Sequence, residues 1–573
     1  MKAELEVWAP NAHHVTVVGG SRPRVQMDGP DDDGWFRVAV DLGPDDCYSY
    51  SLDGGPPRPD PRSPWQPEGV HGPSRLVDHG AFAWTDGDWK GLPLDAAVVY
   101  ELHVGTFSPE GTFDGAAARL DHLVDLGVDV VELLPVAQFP GRRGWGYDGV
   151  DLYAPHQAYG GPDGLKRLVD ACHARGLAVV IDVVYNHLGP AGNYLSEFGP
   201  YFTDRYATPW GMAVNLDGAH SDPVRDFVVG NALMWLRDYH ADGLRLDAIH
   251  AIVDTSAVHI LEELRTQVET LAADLGRQVF LIAESDLNDP KIVHHPDSGG
   301  YGIDAQWSDD FHHALHAVLT GERSGYYADF GSIGHLAKAL QQAYVYDGEY
   351  SPHRRRRHGR SPAGLHPTRF LGYLQNHDQV GNRATGERSS MLLGTGELRV
   401  AAAIVLLGPF VPMLFQGEEW GASTPFLYFT DHDDPELGEA VSEGRRREFA
   451  AFGWSPDDIP DPQAEETFEA SVLRWDELRT EPHAGLLDWH RRLIALRRSL
   501  PTVDFDEVEV RYDEDDRWLV FDRGPVSVVC NLSPERRRVG GVDGALLLAS
   551  DDAVAVADGV VTLPPQSVAV VGR

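Results

Sequence analysis

The sequence predicts an α/β chain: a (β/α)8 barrel of the TIM type, flanked by an N-terminal and a C-terminal β-sandwich domain. Three observations lead there. Apolar strand-like runs alternate with longer helical patterns through the middle of the chain, which requires parallel strands joined by helical crossovers. Eight such units fill roughly 400 residues, the size of a barrel with long loops. Short alternating runs split by Gly, Pro and Asp turns precede and follow them, the rhythm of small sandwiches.

At the N-terminus, Glu6–Ala9, His14–Val18, Trp35–Val40 and Tyr48–Leu52 alternate as half-buried strands, and a proline-rich link, Pro56–Pro64, follows. Barrel strands are expected at Val98–Val104, Val128–Leu134, Leu177–Tyr185, Leu244–Ile249, Val279–Ala283, Ile303–Trp307, Phe370–Leu374 and Met413–Phe415. Helices are expected at Gly115–Leu126, Gly164–Arg175, Pro223–Tyr239 and Val258–Leu275, and the run Leu486–Leu500 closes the barrel. Strands return at Glu507–Tyr512, Trp518–Asp522, Val526–Asn531, Leu546–Ala549 and Val568–Val571. The expected domains are 1–92, 93–500 with an insertion at about 187–222, and 501–573. A doubly wound open sheet is the competing arrangement, weakened because no GxGxxG turn opens a helix after the first strand.

Composition narrows the function. The 573 residues carry a formal net charge of -40, which argues against nucleic acid and anionic membrane surfaces but would not repel a neutral substrate such as a sugar. Three cysteines, Cys47, Cys172 and Cys530, form no CxxC pair, so neither a disulfide framework nor a zinc site is expected. The N-terminus lacks the basic start and apolar run of a signal peptide, and the most apolar stretch, Ala401–Phe415, is broken by Gly408, Pro409 and Pro412. A cytoplasmic protein is expected. The basic stretch His353–Arg360 reads as a solvated loop without assigned function.

Active residues of a barrel gather where strands end. In Gly243–His250, Arg245 and Asp247 alternate with leucines and share one side of a strand expected to run to about Ile249. Alone, this reads as a structural ion pair. However, Asp182–His187 closes the third strand, Glu284 the fifth and Gln375–Gln379 the seventh, so polar groups collect at one end of four apolar strands. Two carboxyl groups across a glycosidic bond suffice for hydrolysis. Asp247, kept ionised by Arg245, suits the nucleophile; Glu284, after the apolar Phe280–Ala283, suits a proton-holding acid. Asp378 could hold sugar hydroxyls and stabilise developing positive charge. His187 and His377 are expected as neutral donors, and Tyr147 as a stacking face. No HExxH or EF-type loop is present, so no metal and no cofactor is expected.

Asp182–His187, Gly243–His250, Glu284 and His377-Asp378 resemble the four signature regions of the α-amylase family of glycoside hydrolases. The resemblance implies a retaining mechanism with Asp247 as nucleophile, Glu284 as acid/base and Asp378 as stabiliser, and it places Tyr147, His187, Arg245 and His377 around the sugar whose bond is cut. Asn186 matches a calcium ligand of some relatives, but its partners are not identifiable. Within the family, Tyr100–Phe113, Phe202–Asp204, Thr208–Asn215, Phe415–Trp420, Tyr428–His432, Glu443–Phe449 and Pro460–Gln463 resemble members that release trehalose. The N-terminal sandwich resembles a glucan-binding module. The implied reaction cuts the α-1,4 bond next to the terminal trehalose of malto-oligosyl trehalose. His250, Asp310, His312 and His313 of Trp307–His313, Gln379 and Asn382 are the candidates for recognising the trehalose end. The competing expectations are a glycogen branching enzyme, a debranching enzyme and a non-catalytic glucan-binding protein; the intact Asp247, Glu284 and Asp378 trio argues against the last.

Overall fold

The computed structural model describes residues 2–19, 24–43, 45–450, 455 and 458–573. Its centre is a closed ring of eight parallel strands: β1 (Val99–Leu102), β2 (Val130–Leu133), β3 (Ala178–Val183), β4 (Gly243–Leu246), β5 (Phe280–Ala283), β6 (Ala305–Trp307), β7 (Phe370–Gly372) and β8 (Val411–Phe415). Each strand pairs with its sequence neighbours, and β8 closes onto β1. All eight fall within or beside the expected runs, because strands buried on both faces must be continuously apolar.

The strand period of two sorts these side chains into two cores. Val99, Val130, Val180, Ile282, Leu371 and Val411 meet inside the ring. Tyr100, Val131, Ile181, Leu281, Phe370 and Leu414 face outward into the larger core shared with the helices. Continuing the inward parity toward the strand ends reaches Glu101, Glu132, Asp182 and, by way of Gly243, Arg245. The register pairs Glu101 with Glu132 and Asp182 with Arg245. One step above an apolar layer, the barrel therefore carries charge.

Around the ring lie α1 (Leu120–Leu126), α2 (Gly161–His173), α3 (Asp222–Asp238), α4 (Ile260–Leu275), α5 (Asp309–Thr320), α6 (Thr395–Leu407) and α7 (His483–Arg497). The helix expected at Gly115–Leu126 is two, Phe113–Ala117 and α1. The fourth strand stops at Leu246 instead of Ile249: Ala248 adopts φ 39, ψ 50, and Ile249–Ala251 is a short 3-10 turn. Between β3 and α3 the chain forms an antiparallel hairpin, Phe202–Thr208 with Gly211–Val214. Before the barrel stand a two-stranded and a four-stranded antiparallel sheet; after it come a five-stranded and a three-stranded one. The last comprises Arg537–Gly540, Ala555–Ala557 and Val560–Leu563, which sequence patterning missed because its outward residues are exposed and its apolar alternation is short. Among the described residues no helix is long and apolar enough to cross a membrane.

Candidate active site

The organising group at the barrel mouth is Arg245, fully buried on β4. Its Nη1 donates to Asp182 Oδ2 and to Asp247 Oδ1, both at 2.8 Å, and its Nη2 lies 3.1 Å from Glu284 Oε2. The Trp307 ring stacks on the guanidinium 4.2 Å away. One cation thus holds carboxyl groups from the ends of β3, β4 and β5. The backbone at Ala248 is left-handed.

 Ala248 there directs its N–H onto Glu284 Oε2 at 2.6 Å, a conformation that costs a non-glycine residue about 1–2 kcal/mol. Asn186 Nδ2 donates to Asp247 Oδ2 at 2.6 Å and to the Asp247 carbonyl at 2.9 Å, so its amide nitrogen serves the carboxylate. Among the described residues no group of three or more His, Cys, Asp or Glu side chains is arranged to hold a metal ion.

Carboxyls crowded in a low-dielectric mouth resist ionisation. Burial raises Glu284 to about 8 against the opposing pull of Arg245, and the charges of Asp247, Asp378 and Asp309 add to the rise. Burial likewise lifts Asp182 to about 6. His187 is pushed the other way by burial, which favours its neutral form; its Nε2 lies 3.1 Å from the Tyr147 carbonyl, its Nδ1 meets Asn186 Oδ1, and its ring stacks on Trp210 at 4.4 Å.

His377 departs from the expectation of a neutral donor. Burial disfavours its charge, but Asp378 and Glu101 outweigh that penalty and raise it to about 9. Tyr147 bridges the two halves of the site: its hydroxyl is 2.7 Å from both Asp182 Oδ2 and His377 Nε2, and its ring is stacked on His377. Asp378 opens to solvent beside them, with its side chain 36% exposed, and accepts from Asn382 Nδ2 at 3.1 Å. Next to Asn382 a cavity of about 460 Å³ is lined by Tyr326, Tyr327, Arg383 and Phe449, within the size range of small-molecule sites.

Other expected residues lie elsewhere. Asp310 and His312 are buried, and their polar atoms are taken up by protein groups. Asp310 Oδ2 accepts from the backbone N–H groups of Val345 and Tyr346 and from Asn288, while His312 bonds the Leu374 carbonyl and the Tyr327 hydroxyl. Successive residues on a helix diverge by about 100°, and at the start of α5 it is Asp309 that stays partly open. Tyr373 donates to Asp309 at 2.5 Å, and burial lifts Asp309 to about 7. His313 packs beneath Tyr326 and Phe330. Gln379 Oε1 accepts from the Asn376 N–H as part of a capping box, and His250 is exposed on the turn after Asp247. The basic loop is anchored rather than wholly solvated: Arg354 Nη1 meets Asp286 Oδ2 at 3.1 Å.

An eight-stranded parallel barrel with these groups at its mouth defines a glycoside hydrolase of the α-amylase type, and residues 79–207 match the alpha amylase catalytic domain. Residues 503–570 match a domain of unknown function, DUF3459. The chain is 56% identical over 542 residues to a malto-oligosyltrehalose trehalohydrolase of Arthrobacter ramosus, covering 93% of each chain, and 52% identical to one of Rhizobium sp., covering 99% of this chain and 97% of that one. A crystal structure described as a putative alpha amylase from Salmonella typhimurium superposes with a TM-score of 0.91 at 39% identity, covering 100% of this chain and 97% of that chain. The chain belongs to the malto-oligosyltrehalose trehalohydrolase family and is a glycosidase.

Proposed function

We propose that the mouth hydrolyses the α-1,4-glucosidic bond next to the terminal trehalose of malto-oligosyl trehalose, releasing trehalose, with retention of configuration. The observation that carries the assignment of roles is the single guanidinium shared by Asp247 and Glu284, which sets Asp247 beside a proton-holding Glu284 at one mouth. Glu284 Oε2 is engaged by Ala248 and Arg245, so the acid proton belongs on Oε1. Delivered to the glycosidic oxygen, it lets trehalose depart as Asp247 attacks the anomeric carbon. Glu284, now ionised, takes a proton from the water that frees the malto-oligosaccharide. Asp378 and Tyr147 flank the sugar; Asp378 offsets the positive charge of the oxocarbenium-like transition state, and Tyr147 supplies a stacking face. Neutral His187 and charged His377 donate to sugar hydroxyls. The cavity beside Asn382 suits the leaving disaccharide, with His313 packed against Tyr326 of its lining, and Gln379 and His250 are proposed as further contacts to the trehalose end.

The test offers the protein malto-oligosyl trehalose and plain malto-oligosaccharide side by side, following free trehalose and new reducing ends. Trehalose release with little cleavage of the plain chain is expected. Equal cleavage of both, or new α-1,6 branches without trehalose, overturns the reading.

A further inference from the structure

Glu101 lies near the end of β1 at the inward parity, and both it and His377 are 1% exposed. Its two oxygens grip one residue: Oε1 lies 2.5 Å from His377 Nδ1, and Oε2 accepts the His377 backbone N–H at 3.0 Å. The other ring nitrogen is fixed by proton counting. The Tyr147 hydroxyl has one hydrogen and two neighbours, Asp182 Oδ2 and His377 Nε2. Asp182 also receives Arg245, so its oxygen is an acceptor and takes the tyrosine proton. Nε2 must then donate to the tyrosine oxygen, and with Nδ1 donating to Glu101 the ring carries both protons.

We infer that Glu101 is a positioning residue for the hydrolysis: through Nδ1 it holds His377 as an imidazolium beside Asp378 and so sets the charge under the reacting sugar. This rests on the proposed reading of the mouth. The groups facing His377 are Glu101 from β1, Glu132 from β2, Tyr147 from the loop after β2, Asp182 from β3, Arg245 from β4 and Asp378 from its own segment. His103, which burial keeps near 4, is neutral, and the Trp145 and Trp307 rings close the remaining sides. Without the imidazolium only Arg245 would balance Asp182, Asp247 and Asp378.

Glu101→Gln keeps an acceptor of the same shape and removes the charge. With His377 neutral, the negative field raises the carboxyls and the cation is missing from neutral pH upward. In the parent the alkaline limb of kcat is set by Glu284 near 8; in the variant His377 loses its proton first, near the ordinary imidazole value, so the limb should move down by about one unit even though Glu284 itself is raised, giving about a tenfold loss at pH 8 with far less at pH 5.5 and little change in KM. Glu101→Asp, which keeps the carboxylate, should restore the limb even if kcat falls at every pH. A readout independent of turnover is imidazole nitrogen NMR with the His377 signal assigned by its loss in His377→Gln: both nitrogens protonated at pH 7.5 in the parent, one in Glu101→Gln. A neutral His377 in the parent, or a Glu101→Gln profile parallel to the parent's, overturns the inference. Failure of the reading of the mouth would show separately, as turnover surviving in Asp247→Ala.

Discussion

The two ends of β4 use the same chemistry to opposite effect. At the lower end Asp242 meets His173 Nε2 at 2.9 Å, Trp89 Nε1 at 2.6 Å and the Val179 N–H at 2.9 Å. His173 Nδ1 reaches Asp86 at 2.8 Å, and Asp86 also accepts from His240 at 2.7 Å, so two histidines and one tryptophan spend the charge of two carboxylates. Burial works against the ionised Asp86, yet its histidine partners hold it down at about 2. At the upper end carboxyls outnumber cations, and Asp182, Asp309 and Glu284 sit at about 6, 7 and 8. A closed network stabilises; an unbalanced one keeps a proton available. Perturbed carboxyls at a barrel mouth mark function, whereas paired ones at the base mark a latch.

Asp247→Ala should separate the two ends most sharply. Removing the nucleophile is expected to lower kcat by at least about 10³-fold, with no loss of fold, because Arg245 keeps Asp182 and Glu284. Loss of a like charge should also lower the pKa of Glu284, since Asp247 is among the groups that raise it. Turnover of malto-oligosyl trehalose and a thermal melt check both parts; near-normal turnover, or unfolding, would erase the contrast.

Asp86→Asn attacks the other end. Asp86 is 4% exposed at the side chain, and the substitution leaves His240 without a carboxylate and His173 with one. Breaking a buried pair of this kind costs about 3–5 kcal/mol, and activity at 25 °C should hold. The pH dependence follows from the directions. Asp86 is depressed, so its share is present above its unfolded value near 3.9 and is lost as pH falls through about 2. His173 is raised by Asp242 and Asp86 against burial, so its share is whole below its unfolded value near 6.5 and is lost as pH rises through its folded one. Denaturant unfolding of parent and variant should therefore differ most between about pH 4 and 6.5. A gap independent of pH would mean the latch works through packing, not charge.

Much of this was legible in the sequence because apolar runs fix the strands and the polar residues that interrupt them fall at strand ends. The eight strands and the carboxyls Asp247, Glu284 and Asp378 follow from that pattern. The state of His377 does not: its charge comes from Glu101, 276 residues away in sequence, and only the closure of β8 onto β1 brings them together. Glu101 could have been found by the same signal, as a fifth polar residue at a strand end. Sequence alone does not separate Asp309 from Asp310, because adjacent acids on one helix look alike until the helix is phased against the barrel. The latch was invisible for a similar reason, since Asp86, Trp89, His173, His240 and Asp242 lie on separate elements that only the closed barrel gathers.

The smallest expected effect lies on the rim between these extremes. Arg354 and Asp286 form an ion pair at 3.1 Å, with side chains 23% and 37% exposed. Solvent screens such a pair, so Arg354→Ala should change stability by less than about 1 kcal/mol, unlike Asp86→Asn. It should also leave the pH profile of kcat unmoved, since Arg354 pairs with Asp286 and not with Glu284. What the substitution removes is an anchor of the loop over β5, so the change should appear in KM for malto-oligosyl trehalose and shrink as salt rises past about 0.5 M. Steady-state kinetics at low and high salt, beside a thermal melt, check this. A loss of stability as large as that in Asp86→Asn would place the basic loop with the latch, as part of what holds the barrel together.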